Sequence, residues 1–455
     1  MSSQSVSLSV PGSARPNSFL LRSAIVAAIG GLLFGFDTVV ISGTTQAVRD
    51  VYALSNWLLG VYVFSGLVGT IVGAAAGGLL ADAYGRRASL RILAVMYLIS
   101  AVGCALAWSW PSLLAFRVLA GLGIGGSSVI GPMYITEVAP AAWRGRLVGL
   151  FQLNIVTGIL IAYLSNYLVG QAGLGGEEWR VKLGVAAIPA LVFLALLFTI
   201  PRSPRWLVTR GLVDEARETL RRTGEPNYRE EIEQIQNDIA QSRQKTSEPL
   251  FRAKYRLPVF LAITIGLFNQ LTGINALLYY ANDIFGRAGF SKTSGDLGAV
   301  IIGFTNFVLT VVALSMIDKL GRKKLLLIGA AGCAACLFGV SAVFFHAAPP
   351  SALLPFFVAF IGFFAFSQGA VIWVYLGEVF PTNVRGKGQS LGSFSHWFMN
   401  ALISLIFPTM AARSGGYPFL FFAVMTAVQF FVVLSIYPET SGVPLEEMQA
   451  RMGAH

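Results

Sequence analysis

The sequence predicts an all-α polytopic membrane protein with twelve transmembrane helices, in two six-helix halves joined by a helical linker. Three observations carry this. Hydrophobic residues make up 55% of the 455 and charged residues only 12%, with a mean hydropathy of +0.68. A soluble domain carries about twice that charge fraction. Twelve apolar runs reach the length, about 20 residues, that crosses a hydrocarbon core of about 30 Å. The chain also repeats itself at half its length, as membrane carriers built from homologous halves do. Glu137-Val138, Pro140 and Arg144-Gly145 recur as Glu378-Val379, Pro381 and Arg385-Gly386, and Asp82-x-x-Gly85-Arg86-Arg87 recurs as Asp318-x-x-Gly321-Arg322-Lys323.

The spans are expected at 19–42, 57–81, 89–109, 112–134, 147–169 and 183–200 in the first half. Those of the second half fall at 258–280, 296–317, 325–346, 352–377, 388–411 and 416–437. Residues 1–18 are Ser-rich without a charged n-region and read as a disordered cytoplasmic tail, so the first span is an uncleaved helix. The halves are 19–200 and 258–437, with 438–455 a second cytoplasmic tail. Between the halves, 201–257 is the one long polar stretch. Segments 212–222 and 229–243 carry apolar residues at helical spacing (Leu212, Ala216, Leu220; Ile232, Ile235, Ile239) and read as amphipathic helices clasping the halves.

Basic residues set the orientation. With both termini cytoplasmic, only Arg49, Arg180, Lys182, Arg287, Lys292 and Arg413 fall outside, Arg117 falls within a span, and the remainder of the 33 Lys and Arg face inward. The net charge of +11 is thereby assigned to loops beside anionic headgroups, with no nucleic-acid partner. Cys104, Cys333 and Cys336 all lie in apolar runs, and Gly121-Leu-Gly-Ile-Gly-Gly126 lies within a span without a preceding strand. No metal, cofactor or nucleotide site is expected from either, and the glycines read as close helix packing. No catalytic constellation is present, so the chain is not expected to be an enzyme.

Three groups of residues carry chemistry. Asp37 and Arg117 are charges inside apolar spans, where each costs at least about 2.5–3.5 kcal/mol unless partnered. Pairing them is the economical solution, and an aspartate that alternates between the pair and protonation makes a proton-coupling site. Gln152, Asn269, Gln270, Asn275, Asn306, His396 and Asn400 lie at membrane depth with Trp373 and Trp397. Amides donate and accept without charge, as vicinal hydroxyls require, and an indole offers an apolar face to a sugar ring. Gly273 is a candidate break in the seventh span, with Tyr279 and Tyr280 further out to close a mouth. The third group, Asp82, Arg86, Arg87, Glu137, Arg144, Asp318, Arg322, Glu378, Arg385 and Glu439, sits at the cytoplasmic span ends and is expected to control an inner gate.

These residues lie in motifs that resemble those of the sugar porter family of the major facilitator superfamily. They are Gly-Phe-Asp-Thr-Val-Val-Ile-Ser-Gly (35–43), Pro-Met-Tyr-Ile-Thr-Glu-Val-Ala-Pro (132–140), the two Asp-x-x-Gly-Arg motifs, Pro-x-Ser-Pro-Arg-Trp-Leu (201–207), Gln-Leu-Thr-Gly-Ile-Asn (270–275) and Pro-Glu-Thr (438–440). The overall pattern is similar to bacterial xylose–proton and glucose–proton symporters. The resemblance implies a monosaccharide carrier working by alternating access in a bacterial inner membrane, acting as a monomer. It implies that Gln152, Gln270, Asn275, Asn306, Trp373 and Asn400 contact sugar, and that Asp37 with Arg117 couples protons. A uniporter with a structural Asp37–Arg117 pair is the alternative, and a non-transporting sugar sensor a more distant one. Four residues depart from the pattern: Asn269 where a glutamine is usual, Arg202 for a glutamate, Ala370 for a proline that would bend the tenth span, and His396 for an amide.

Overall fold

The computed structural model describes residues 16–244, 248–346, 348–381 and 384–441, apart from the side chains of 142, 241–244, 314 and 317–319. Among these residues every regular element is helical. The first five spans are Ser18–Val40, Asn56–Tyr84, Arg86–Ala105, Trp110–Val138 and Ala141–Gln171. The sixth is a pair of shorter helices, Glu178–Gly184 and Ala187–Leu196, displaced toward the N-terminus from its expected place. In the second half, Arg256–Leu271 with Ile274–Tyr279 forms the seventh span, followed by Lys292–Leu320, Arg322–Phe345, Leu353–Phe366 with Gln368–Glu378, Arg385–Arg413 and Gly416–Ile436. Eleven of these are long and apolar enough to cross a membrane by composition alone. The eleventh span, Arg385–Arg413, falls short because its buried face carries His396, Asn400 and four serines or glycines (Gly388, Gly392, Ser395, Ser404) instead of leucines.

Local chemistry explains the ends. Asn17 Oδ1 accepts from Leu20 N at 2.8 Å to cap the first helix, and Ser109 and Ser112 cap the fourth reciprocally. The repeated charged motifs turn the chain in the same way twice. Gly85 has φ 84° and ψ 153°, and Gly321 has φ 83° and ψ 153°, a conformation open only to glycine. A Cβ on Gly121 would lie 1.9 Å from Gly66 O, so the glycine run brings the second and fourth spans into backbone contact, as its position in a span suggests.

The seventh span breaks at Gly273, whose φ of 79° ends one helix and starts the next. The tenth span breaks too, at Ser367 (φ −119°, ψ −86°). Loss of a proline at position 370 therefore leaves this helix interrupted, three residues earlier. The segments expected to be amphipathic helices in the linker are helices Val213–Thr223 and Tyr228–Gln244, with Leu207, Ala216, Leu220 and Ile232 forming a small core of their own.

The two halves touch at the end opposite the charged motifs. Tyr163 OH donates to Leu278 O at 2.8 Å, Ser42 Oγ donates to Asn282 Oδ1 at 2.9 Å, and Lys292 bonds Glu178. Gly60 packs so closely on the eleventh span that a Cβ there would lie 2.0 Å from Leu405 O. At the motif end, the ion pairs Arg86–Asp82, Arg86–Glu137 and Arg322–Glu378 each join helices of one half. The protein is closed at the far end.

Candidate functional site

Asp37 and Arg117 meet: Arg117 Nη1 lies 2.7 Å from Asp37 Oδ1, with the side chains 14% and 5% exposed. Only one guanidinium nitrogen makes the bond, and Arg117 Nε is buried without a partner. Gly66 makes room for the guanidinium, since a Cβ there would lie 3.0 Å from Arg117 Nη2. The pair lines a cavity of about 20 Å³ together with Phe34, Thr38, Tyr279 and Trp397. That volume holds about one water. Tyr279 and Trp397 come from the seventh and eleventh spans, so the cavity is shared by both halves.

On the second-half side the amides form a row. Asn275 Nδ2 donates to Gln270 Oε1 at 2.8 Å, Gln270 Nε2 donates to Asn269 Oδ1 at 3.1 Å, and Asn269 Nδ2 donates to Gln368 O at 3.4 Å. Gln270 Nε2 also lies 3.3 Å from His396 Nδ1 and 3.2 Å from its Nε2. The imidazole sits between two indoles, with ring centroids 5.2 Å from Trp373 and 5.1 Å from Trp397. Asn400 Nδ2 donates to Tyr279 OH at 3.0 Å, which joins the eleventh span to the cavity beside Asp37. Trp397 in turn packs on Phe34 of the first span, ring centroids 5.6 Å apart and planes tilted by 44°.

The structure thus brings together Asn269, Gln270, Asn275, Tyr279, Trp373, His396, Trp397 and Asn400, and sets them against Asp37 and Arg117. Tyr280 is drawn away, its hydroxyl donating to Ser404 O at 2.7 Å. Gln152 is half-buried on the fifth span and Asn306 buried on the eighth, and neither shares in the hydrogen bonds that link the row. Gln368 was not singled out from the sequence. It lies at the break of the tenth span, 1% exposed, with neither amide atom partnered. A polar residue at membrane depth was the available signal.

The repeated charges form two matching assemblies. In the first half Arg86 Nη2 lies 2.8 Å from Glu137 Oε1 and Arg86 Nη1 lies 3.1 Å from Asp82 Oδ1, while Ser203 bonds Glu137. In the second, Arg322 Nη2 lies 3.0 Å from Glu378 Oε1 and Thr440 Oγ1 donates to Glu378 Oε2 at 2.6 Å. Glu439 accepts from the Arg322 and Lys323 backbone N–H groups at 2.8 and 3.1 Å. Arg87 and Arg385 donate to the carbonyls of Ile200 and Phe380. Arg144 is exposed near the linker, and the side chain of Asp318 lies outside the described residues. Burial raises the linker Glu225 carboxyl above its ordinary value, with the positive charge of Arg144 opposing that rise. Arg202, the reversed charge, faces Glu215 of the linker at 3.6 Å.

At the far end lies a network not anticipated from the sequence. Lys182, 1% exposed, bonds Glu178 Oε1 at 2.6 Å and the Gly43 carbonyl at 3.1 Å. Lys292 takes the other oxygen of Glu178, and Asn282 joins Ser42 to Asp296. Arg49 approaches Asp283 at 3.8 Å, again from the opposite half.

Such an arrangement, two six-helix halves meeting over a charge pair and an amide row, defines a membrane carrier of the major facilitator fold. The chain belongs to the sugar (and other) transporter family, whose model matches residues 23–452. It is 35% identical over 472 residues to the D-xylose-proton symporter of Escherichia coli (strain K12), covering 95% of this chain and 96% of that protein. Among solved structures, the inward open conformation of the xylose transporter XylE from E. coli matches with a TM-score of 0.86 at 34% identity, covering 95% of this chain and 100% of the other. The same symporter bound to 6-bromo-6-deoxy-D-glucose matches with a TM-score of 0.78 at 34% identity, covering 96% and 100%. The protein is a multi-pass membrane transporter and not an enzyme.

Proposed function

We propose that this carrier imports a monosaccharide, a hexose or pentose, together with protons across a bacterial inner membrane, with both termini cytoplasmic and the monomer as the working unit. One observation carries the reading. The Asp37–Arg117 pair opens onto the same cavity as Tyr279 and Trp397, which contact Asn400 and His396 of the polar cluster. A proton acceptor and a polyhydroxyl-binding surface are thereby adjacent. The family membership and the likeness to a D-xylose-proton symporter support it.

In this reading the motif end faces the cytoplasm and the closed far end faces outward. Sugar binds mainly to the second half, through Gln270, Asn275, Asn306, Trp373 and Asn400, with Gln152 reaching from the first. Protonation of Asp37 cancels the charge that holds Arg117, which frees the first and fourth spans to shift relative to each other. Return of the proton to the cytoplasm restores the pair and resets the carrier. Because a buried guanidinium left alone is costly, the unpaired state is short-lived and tied to the transport step. The assemblies around Glu137 and Glu378 keep the cytoplasmic end of each half rigid while the halves rock, and Asp82, Arg87, Arg144, Asp318, Arg385 and Glu439 belong to the same inner gate.

Proteoliposome transport tests this. An imposed proton gradient should drive uphill accumulation of glucose or xylose, and Asp37→Asn should abolish accumulation while sparing sugar counterflow. Accumulation that survives Asp37→Asn would make the carrier a uniporter with a structural ion pair.

A further inference from the structure

We propose that His396 is a positioning residue: as a neutral imidazole it holds Gln270 in the donor–acceptor sense that the Gln368 carbonyl sets for the Asn275–Gln270–Asn269 row, and so secures what that row offers a sugar. This rests on the reading of the row as the sugar site.

The row has a direction, and its start is immovable. A backbone carbonyl can only accept, so Gln368 O draws the Nδ2 side of Asn269 toward itself at 3.4 Å. Asn269 Oδ1 then faces Gln270, which must answer with its Nε2 at 3.1 Å. Gln270 Oε1 is left for Asn275 Nδ2 at 2.8 Å. The Oδ1 of Asn275, the one partly exposed amide of the row, remains free and can accept from a sugar hydroxyl. Each amide is held in one of its two flipped states by the one before it.

The second N–H of Gln270 needs an acceptor as well. His396 supplies it, its two ring nitrogens lying at nearly equal distances of 3.3 and 3.2 Å. Equal distances place the amide nitrogen over the face of the ring, not in line with a lone pair. The π face of a neutral imidazole accepts an N–H in either tautomer. An imidazolium presents a positive face that repels the N–H, and the row could answer only by reversing, which the Gln368 carbonyl opposes. The groups against the ring are uncharged: Gln270 of the seventh span, Trp373 of the tenth and Trp397 of its own helix. The ionisable groups nearby, Asp37, Arg117 and Tyr279, face the cavity that Trp397 also lines. The group of the row that His396 meets is the Gln270 amide, so its action on sugar passes through Gln270.

The test is equilibrium binding of glucose and xylose to the purified full chain, with transport measured alongside. His396→Leu should weaken binding about tenfold, the effect of leaving a buried amide N–H unpaired. Transport at saturating sugar should change less than about twofold, as expected when only binding is lost. His396→Gln, whose oxygen can replace the ring acceptor, should bind like the parent. Unchanged affinity in His396→Leu overturns the proposal, as does equal loss in the leucine and glutamine variants. Should the leucine variant fail to assemble, His396→Asn serves, one methylene too short to reach: weaker binding than His396→Gln supports the proposal and equal binding overturns it. Absence of sugar binding by the unsubstituted chain overturns the sugar reading itself, a separate outcome.

Discussion

Arg86 Nη2 lies 2.8 Å from Glu137 Oε1, and half a chain away Arg322 Nη2 stands 3.0 Å from Glu378 Oε1 in the same relation. The match extends outward, since Tyr134 OH donates to Pro201 O at 2.9 Å and Tyr375 OH to Pro438 O at 3.2 Å. Each assembly pins the segment leaving its half onto the glycine turn of that half. Glu137→Gln keeps the shape and removes the charge, so the guanidinium is left undercompensated. A loss of about 1–3 kcal/mol is expected, read as a lower Tm in detergent. Adding Arg86→Gln should cost less than the sum of the two single changes, because both touch one pair.

Gly60 meets the eleventh span so closely that any side chain would collide with the Leu405 backbone, at 2.0 Å for a Cβ alone. Backbone cannot yield as a flexible side chain can. Gly60→Leu should therefore hold the far end open, abolishing net transport while sugar binding from that side persists. Labelling of a cysteine placed at the far end should rise in parallel, and unaltered transport would refute the close approach.

Lys292 and Glu178 join the halves, and Lys182 is buried behind them. Lys292→Ala removes one bridge between halves and leaves Glu178 its second partner. The expected result is a shift toward the state open at the far end, by roughly 1 kcal/mol given the exposure of Lys292. Single-molecule distance measurements between labels on the two halves would register this, and high salt should mimic part of it.

Gln368 is 1% exposed and neither of its amide atoms has a partner. An unsatisfied buried amide costs about 1–3 kcal/mol. Gln368→Leu, of similar volume, should raise the Tm of this conformation. If transport then slows, the amide is satisfied in another state of the cycle, reached by movement at the Ser367 break. A Tm at or below that of the parent would count against the unpaired assignment.

Trp373 is 42% exposed and flanks His396. Its free face suits the apolar side of a sugar ring. Trp373→Ala should raise the KM for sugar about tenfold with the proton dependence retained, whereas Asp37→Asn should do the reverse.

Much of this was legible in the residues alone. Apolar runs of membrane length must be helices, because no other open structure satisfies its backbone in lipid. Two opposite charges inside such runs must meet, since the cost of leaving either alone is too large, and Asp37 and Arg117 do. The duplicated motifs announced two halves, and the break at Gly273 followed from the residue that can adopt it.

What only the tertiary structure decided is who faces whom where solitude is cheap. Charges at the membrane boundary reach water in any arrangement, so nothing in the sequence assigned Arg86 to Glu137, or Lys292 to Glu178. The same holds for the amides, each able to donate or accept. Their order, from the Gln368 carbonyl to Asn275, depends on how closely the seventh, tenth and eleventh spans pack. Composition chose the class and the expensive pairs. Helix packing chose the rest, because hydrogen bonds act over a few ångströms and only the assembled halves set those distances.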